Sequence, residues 1–179
     1  MSHRIGDKEF IDIWIGLFTN IDKYGLAVIG KEKIVSKINK VSYEYWVIDI
    51  LEGNFGYKSI IKNLVDWNNK YKQKNIIKNE NEPVKKFLKE ELVESYPKSR
   101  IDFCEYEFNP NHSIQALKGL LRDKKINVFK SIHESFYTAL TQYDVDKNQV
   151  ATINALMVAL DKSYEKNFVR RSPVTSFCR

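Results

Sequence analysis

Cysteine is scarce in this chain. Its 179 residues include two, Cys104 and Cys178, too few for a disulfide framework. A reducing, cytoplasmic setting is therefore expected. Histidine is nearly as rare: His3, His112 and His133 are the three present. They form no HExxH, CxxC or mixed Cys/His cluster, which argues against zinc, and no cofactor is expected. No apolar run approaches the roughly 18 residues of a membrane span, so no membrane partner is expected. The best stretch, Ile11 to Phe18, is short and broken by Asp12. Asp7, Glu9 and Asp12 interrupt any apolar leader. Seven glycines and four prolines leave few turn signals, as in a helical protein.

Apolar residues are plentiful. At 43% hydrophobic and 13% aromatic, the chain has enough material for a core and is not disordered. Without a linker or repeat, residues 1–179 read as one domain with a loose tail at 169–179. The expected fold class is mainly α, a helical bundle-like domain of five to seven helices, with a minor two- or three-stranded β element near residues 100–108.

Apolar spacing suggests the elements. Phe10, Trp14, Leu17, Phe18 and Ile21 predict a helix over 5–24. Residues 25–30 are a short apolar run, either a buried strand or a tight connection. Residues 32–51 read as helix, with strand as the alternative because the second half is β-branched and aromatic. Gly53 to Gly56 is a breaker. A helix over 57–74 buries Ile60, Ile61, Leu64, Val65 and Trp67, and 75–82 reads as a polar loop. Pro83 opens a helix running to about Tyr96. In 100–108 the alternation of Ile101 and Phe103 slips to Cys104, Tyr106 and Phe108, as at a bulge. Helices follow over 113–124, 126–143 and 148–168.

Several motifs fail on their own chemistry. Gly25 to Lys31 has the first seven positions of a phosphate-binding loop, but Glu32 stands where the metal-ligating hydroxyl belongs. Gly53-Asn-Phe-Gly56 has the spacing of an RNA-clamping loop but no basic residue. Asp144, Asp146 and Asn148 begin like a calcium loop, yet Gln149 and Ala155 occupy its glycine and bidentate-glutamate positions. Asp102, Glu105 and Glu107 are three carboxylates on the candidate strand. Metal-dependent nucleases use such clusters, and a solvated strand face gives the same pattern.

The remaining signal is charge. The net charge is +6, and Lys58, Lys62, Lys70, Lys72, Lys74 and Lys78 face one acid, Asp66, within 57–78. Trp67 and Tyr71, one turn apart, are placed to stack on bases beside those lysines. Lys118, Arg122 and Lys125 belong to a second cluster, and Arg170, Arg171 and Arg179 to a third. Lysine, asparagine and isoleucine are also what an A/T-rich genome encodes, so the charge has a compositional explanation as well. The leading expectation is a small, soluble, non-catalytic binding protein that engages DNA or RNA through a lysine-rich helical surface: Lys58, Lys62, Trp67, Lys70, Tyr71, Lys74, Lys118, Arg122 and Lys125. The alternative is a protein-interaction module (inhibitor, immunity or adaptor protein) with a protein partner. The third reading is a metal-dependent nuclease or other enzyme whose site is dispersed.

Overall fold

A computed structural model describes residues 3–144 and 150–169. The fold is mixed α/β around a six-stranded sheet, not a helical bundle. A short hairpin, β1 (His3–Ile5) and β2 (Lys8–Phe10), precedes it. Then β3 (Asp12–Thr19), β4 (Lys23–Val35) and β5 (Val41–Asn54) form an antiparallel meander. Helix α1 (Tyr57–Tyr71) leads to β6 (Asn75–Asn79), and α2 (Glu82–Ser95) leads to β7 (Asp102–Tyr106). After α3 (Pro110–Arg122) come β8 (Ile126–Val128), a single 3-10 turn, α4 (His133–Gln142) and α5 (Ala151–Val169). The strand order is β7-β6-β3-β4-β5-β8, with β6 parallel to β3 and β7 parallel to β6.

The expected helix over 5–24 is overturned by β3. Residues Ile13 to Phe18 are all buried, because β3 is a central strand covered on both faces. Such a strand reads as a continuous apolar run rather than an alternation, and a helix-spaced subset can be drawn from any continuous run. Ile13, Ile15 and Leu17 face α1 and α2, while Trp14 and Phe18 face α5. Residues 32–51 take the strand alternative as the β4–β5 ribbon, and 25–30 are buried strand. The expected loop at 75–82 contains β6, whose Ile76 and Ile77 are buried. Residues 126–143 divide into β8, the 3-10 turn and α4. The bulge expected in 100–108 is absent, since β7 pairs with β6 in unbroken register. The loose tail over 170–179 lies outside the described residues, as do Asp146, Asn148, Cys178, Arg170, Arg171 and Arg179.

The helices at α1, α2 and α5 form where the spacing placed them. Ile60, Ile61, Leu64, Trp67 and Tyr71 of α1 join Leu88 and Leu92 of α2 against one face. On the other face α5 lies across β3 and β4, and every residue from Val150 to Leu160 is buried. A Cβ built on Gly16 would sit 2.0 Å from the Ala155 carbonyl oxygen, and one on Gly25 would sit 2.1 Å from that of Ala151. Backbone thus meets backbone, with Ala151, Ala155 and Ala159 one helical turn apart over the two glycines. Gly16→Ala or Gly25→Ala is expected to cost at least about 3 kcal/mol, the upper range for overpacking. Gly119→Ala in α3, where an added Cβ meets nothing within 4 Å, should gain up to about 1 kcal/mol. Urea denaturation of the three variants measures both.

Candidate nucleic-acid interface

Strands β3, β6 and β7 are parallel and end together at Thr19, Asn79 and Tyr106. The chain leaves β3 toward β4 on one side, while β6 pairs on the other. In open α/β sheets the crevice at such a carboxyl edge is where ligands bind. Here it is a cavity of about 390 Å³ whose lining includes Phe18, Thr19, Asn20, Asn79, Glu80 and Glu107. A larger open cleft of about 1100 Å³ adjoins it through Asn20 and reaches Asp22, Glu52, Glu134 and Gln142.

The side chains of this edge have structural roles. The Asn79 carboxamide accepts from the Thr19 backbone N–H at 3.0 Å and donates to the Thr19 carbonyl at 3.3 Å, clipping β6 to the end of β3. The Thr19 hydroxyl is buried without a hydrogen-bond partner among the described residues. Phe18 packs edge-on against Phe108, with centroids 5.9 Å apart. The Asn20 side chain accepts from the N–H groups of Asp22 and Lys23, closing the turn into β4. Glu52 pairs with Lys23 at 2.7 Å and accepts from the Ala151 N–H at 3.0 Å, anchoring the start of α5. That carboxylate raises the Lys23 pKa. Glu80 and Glu107 are exposed at the rim.

Beneath the edge, Lys78 is wholly buried. Its ammonium donates to the carbonyls of Asn79 at 2.7 Å and Asn81 at 3.2 Å. Glu105 accepts from the Asn81 N–H at 3.2 Å and pairs with Lys85 at 2.8 Å. Together these contacts fix the connection from β6 to α2, and with it Asn79 and Glu80. Burial pushes the Lys78 pKa down to about 8, opposed by nearby Glu105. The Lys85 hydrogen bond holds the Glu105 carboxyl below its ordinary value.

The sequence-derived site residues do not assemble as expected. Trp67 and Tyr71 are core residues, and the Tyr71 hydroxyl donates to Asp49, so neither ring is free to stack on a base. Lys70 pairs with Asp49 at 3.0 Å. Lys58, Lys62, Lys74, Lys118, Arg122 and Lys125 are exposed, with Arg122 beside Asp123. Asp102 and Glu105 lie on opposite faces of β7, and Glu107 lies past its end. Among the described residues no three acidic, histidine or cysteine side chains come together to hold a metal ion. The sequence reading counted Lys78 among the basic lysines of 57–78 and passed over Asn79, because both sat in a presumed loop, whereas Lys78 is buried. The signal for β6 was the β-branched pair Ile76-Ile77.

No family model matches the sequence, and no curated protein does. Solved structures do match. Thermus thermophilus RuvC aligns over 88% of this chain and 96% of that one, at 13% identity and a TM-score of 0.53. The large terminase nuclease of thermophilic phage G20c, with bound zinc, aligns over 90% and 91%, at 13% identity and a TM-score of 0.54.

The fold is that of these nucleases.

The same nuclease with bound magnesium gives a TM-score of 0.53. A fowlpox virus Holliday junction resolvase aligns over 88% of this chain at 10% identity, with a TM-score of 0.48. The likenesses to RuvC and the terminase nuclease overturn the helical, non-catalytic reading of the sequence: the architecture is an α/β sheet shared with those structures, and Trp67 and Tyr71 lie inside it. None of the neighbours' names points to a protein partner. No helix among the described residues is long and apolar enough to cross a membrane.

The Lys78 burial has a pH signature. Its folded pKa lies below the unfolded 10.5, so between about pH 8 and 10 the unfolded chain binds more protons and rising pH favours the fold. Above about pH 10 Tyr71 opposes this, because burial and then Asp49 keep its phenol protonated when the unfolded phenol ionises. Wild type should therefore gain stability over pH 8–10 relative to Lys78→Met, by an amount on the order of 1 kcal/mol per unit. Thermal melts of both proteins across that range test it, and parallel curves would refute the lowered Lys78 pKa.

Proposed function

We propose that the protein is a DNA-processing protein of the nuclease type, working in the cytoplasm, with DNA laid over the carboxyl edge of β3, β6 and β7. The observation that carries this reading is the whole-length agreement of fold with RuvC and the terminase nuclease, joined to a crevice at that edge. Net positive charge supports a polyanionic substrate. Lys58, Lys62, Lys74, Lys118, Arg122 and Lys125 are available to phosphates. Trp67 and Tyr71 take no part, and Lys70 is held by Asp49.

The terminase nuclease binds zinc and magnesium. This edge does not fit a pair of divalent cations, which requires several converging oxygen or nitrogen ligands. Its interior offers the Phe18 ring and the Asn79 carboxamide, already used to clip Thr19. Its carboxylates, Glu80 and Glu107, sit at the rim. No hydrolytic step is therefore assigned to a cation here. The two carboxylates instead face the DNA as like charges.

That gives a signed prediction. Combined Glu80→Gln and Glu107→Gln should tighten DNA binding by up to about 30-fold in EDTA, at about 1 kcal/mol per removed like charge close to a phosphate. Magnesium should not reverse the sign. Fluorescence anisotropy on duplex and four-way-junction DNA measures this, with strand scission followed on gels in Mg²⁺ and Mn²⁺. Weaker binding of the double variant in magnesium would show a cation bridging these carboxylates to DNA. Scission lost in the double variant would make them its catalytic groups. No binding near micromolar at low salt would sink the DNA reading.

A further inference from the structure

Beyond the sheet, the β4–β5 ribbon segregates its side chains by face. Residues directly opposite in an antiparallel pair point the same way. The pairs Lys31–Tyr45, Lys33–Tyr43 and Val35–Val41 therefore share one face, and Glu32–Glu44 and Ile34–Ser42 share the other. All the lysines of these pairs lie on the first face and both acids on the second. The acids are engaged on their own side: Glu32 accepts from the Trp46 indole and pairs with Lys8, and Glu44 accepts from Asn127.

The lysine face is open beyond Tyr45. Val35 is 57% exposed, Val41 45% and Tyr43 46%. Lys31 lies 4.3 Å from the centre of the Tyr43 ring, which steadies that ring. The tip is a tight turn: the Ser36 N–H donates to the Lys40 carbonyl, the Lys40 N–H to the Ser36 hydroxyl, and Asn39 takes a left-handed φ of 57°. It presents Ile38, 83% exposed, between Lys37 and Lys40. Lys33, Lys37 and Lys40 form no ion pair among the described residues.

We propose that this face of the β4–β5 ribbon is a second nucleic-acid contact, which takes a DNA strand with exposed bases. Tyr43 offers a stacking ring, Val35, Val41 and Ile38 cover base faces, and Lys33, Lys37 and Lys40 meet phosphates. A basic surface interleaved with an aromatic ring is the chemistry of single-strand binding, and an aliphatic tip beside lysines is that of a wedge at an unstacked step. A second copy of this chain fits worse. A two-fold contact would set one basic face against another. The ribbon tip lies at the opposite end of β3 from the carboxyl edge. The eight residues of β3 span roughly 26 Å at about 3.3 Å each, so the two contacts are separate and testable apart. The inference rests on the DNA reading above.

The probe is fluorescein-labelled oligo-dT, titrated against the full chain at several salt concentrations, with circular dichroism confirming that each variant folds. Tyr43→Ala should weaken binding at least about fivefold, the low end for one lost base stack. Lys33→Gln, Lys37→Gln and Lys40→Gln together should flatten the log–log salt slope by up to about 2, at roughly 0.7 per phosphate. Ile38→Ser should reduce the fluorescence rise of 2-aminopurine placed at a junction branch point. Oligo-dT binding unchanged in the tyrosine and lysine variants, while the edge variants still alter duplex binding, would overturn this inference and leave the DNA reading intact. No DNA binding by wild type would overturn both. A doubled mass in solution that Tyr43→Ala returns to monomer would assign the face to a second copy instead and refute the proposal.

Discussion

The fold depends on one close approach. Helix α5 lies on β3 and β4 with almost no side chain between them, because Gly16 and Gly25 leave room for the backbone at Ala155 and Ala151. Small residues on both sides bring the helix near enough for its flanking Ile153, Leu156, Met157 and Leu160 to fill the face around it. Close packing of this kind tolerates little added volume. It also sets the functional edge. Glu52 holds the first turn of α5 against β5, and the larger cleft opens beside that turn.

A second constraint works from the opposite face. Lys78 stands where an apolar residue would be expected in a two-sided strand, and its ammonium finds two backbone carbonyls rather than water. Burying a charge is costly unless it is hydrogen-bonded and paired. The Glu105 carboxylate beside it supplies part of the compensation, which Lys85 opposes. This polar knot fixes a connection that would otherwise be a free surface loop. The carboxyl edge is thus held from α5 on one side and from the base of α2 on the other.

The sequence made parts of this legible. Where an element has one wet face, its period shows, so α1, α2 and the strand at 102–106 were readable. Where an element is dry on both faces, period is lost: β3 is apolar at every position from Ile13 to Phe18 and passed for helix. The same dryness makes α5 apolar nearly all round from Val150 to Leu160, and the helical spacing of Val150, Ile153, Leu156, Met157 and Leu160 still marked it as a helix. The candidate edge was illegible for another reason. Its residues come from strand ends at Thr19, Asn79 and Tyr106, far apart in the chain, and topology alone brings them together. Trp67 and Tyr71 misled because one-turn spacing beside lysines describes both a stacking surface and the inner side of an amphipathic helix.

The position of α5 in the chain has a consequence for biosynthesis. The strands bearing Trp14, Phe18, Ala27, Ile29 and Val47 have all been made once β5 is finished, but α5, the helix that lies across β3 and β4 on that face, begins only at Ala151. At translation rates of roughly 5–20 residues per second, that face stays bare for several seconds or more while the intervening hundred or so residues emerge. A ribosome-bound chain therefore presents an apolar sheet in search of a partner. The glycines that later admit α5 leave a shallow trough there in the meantime.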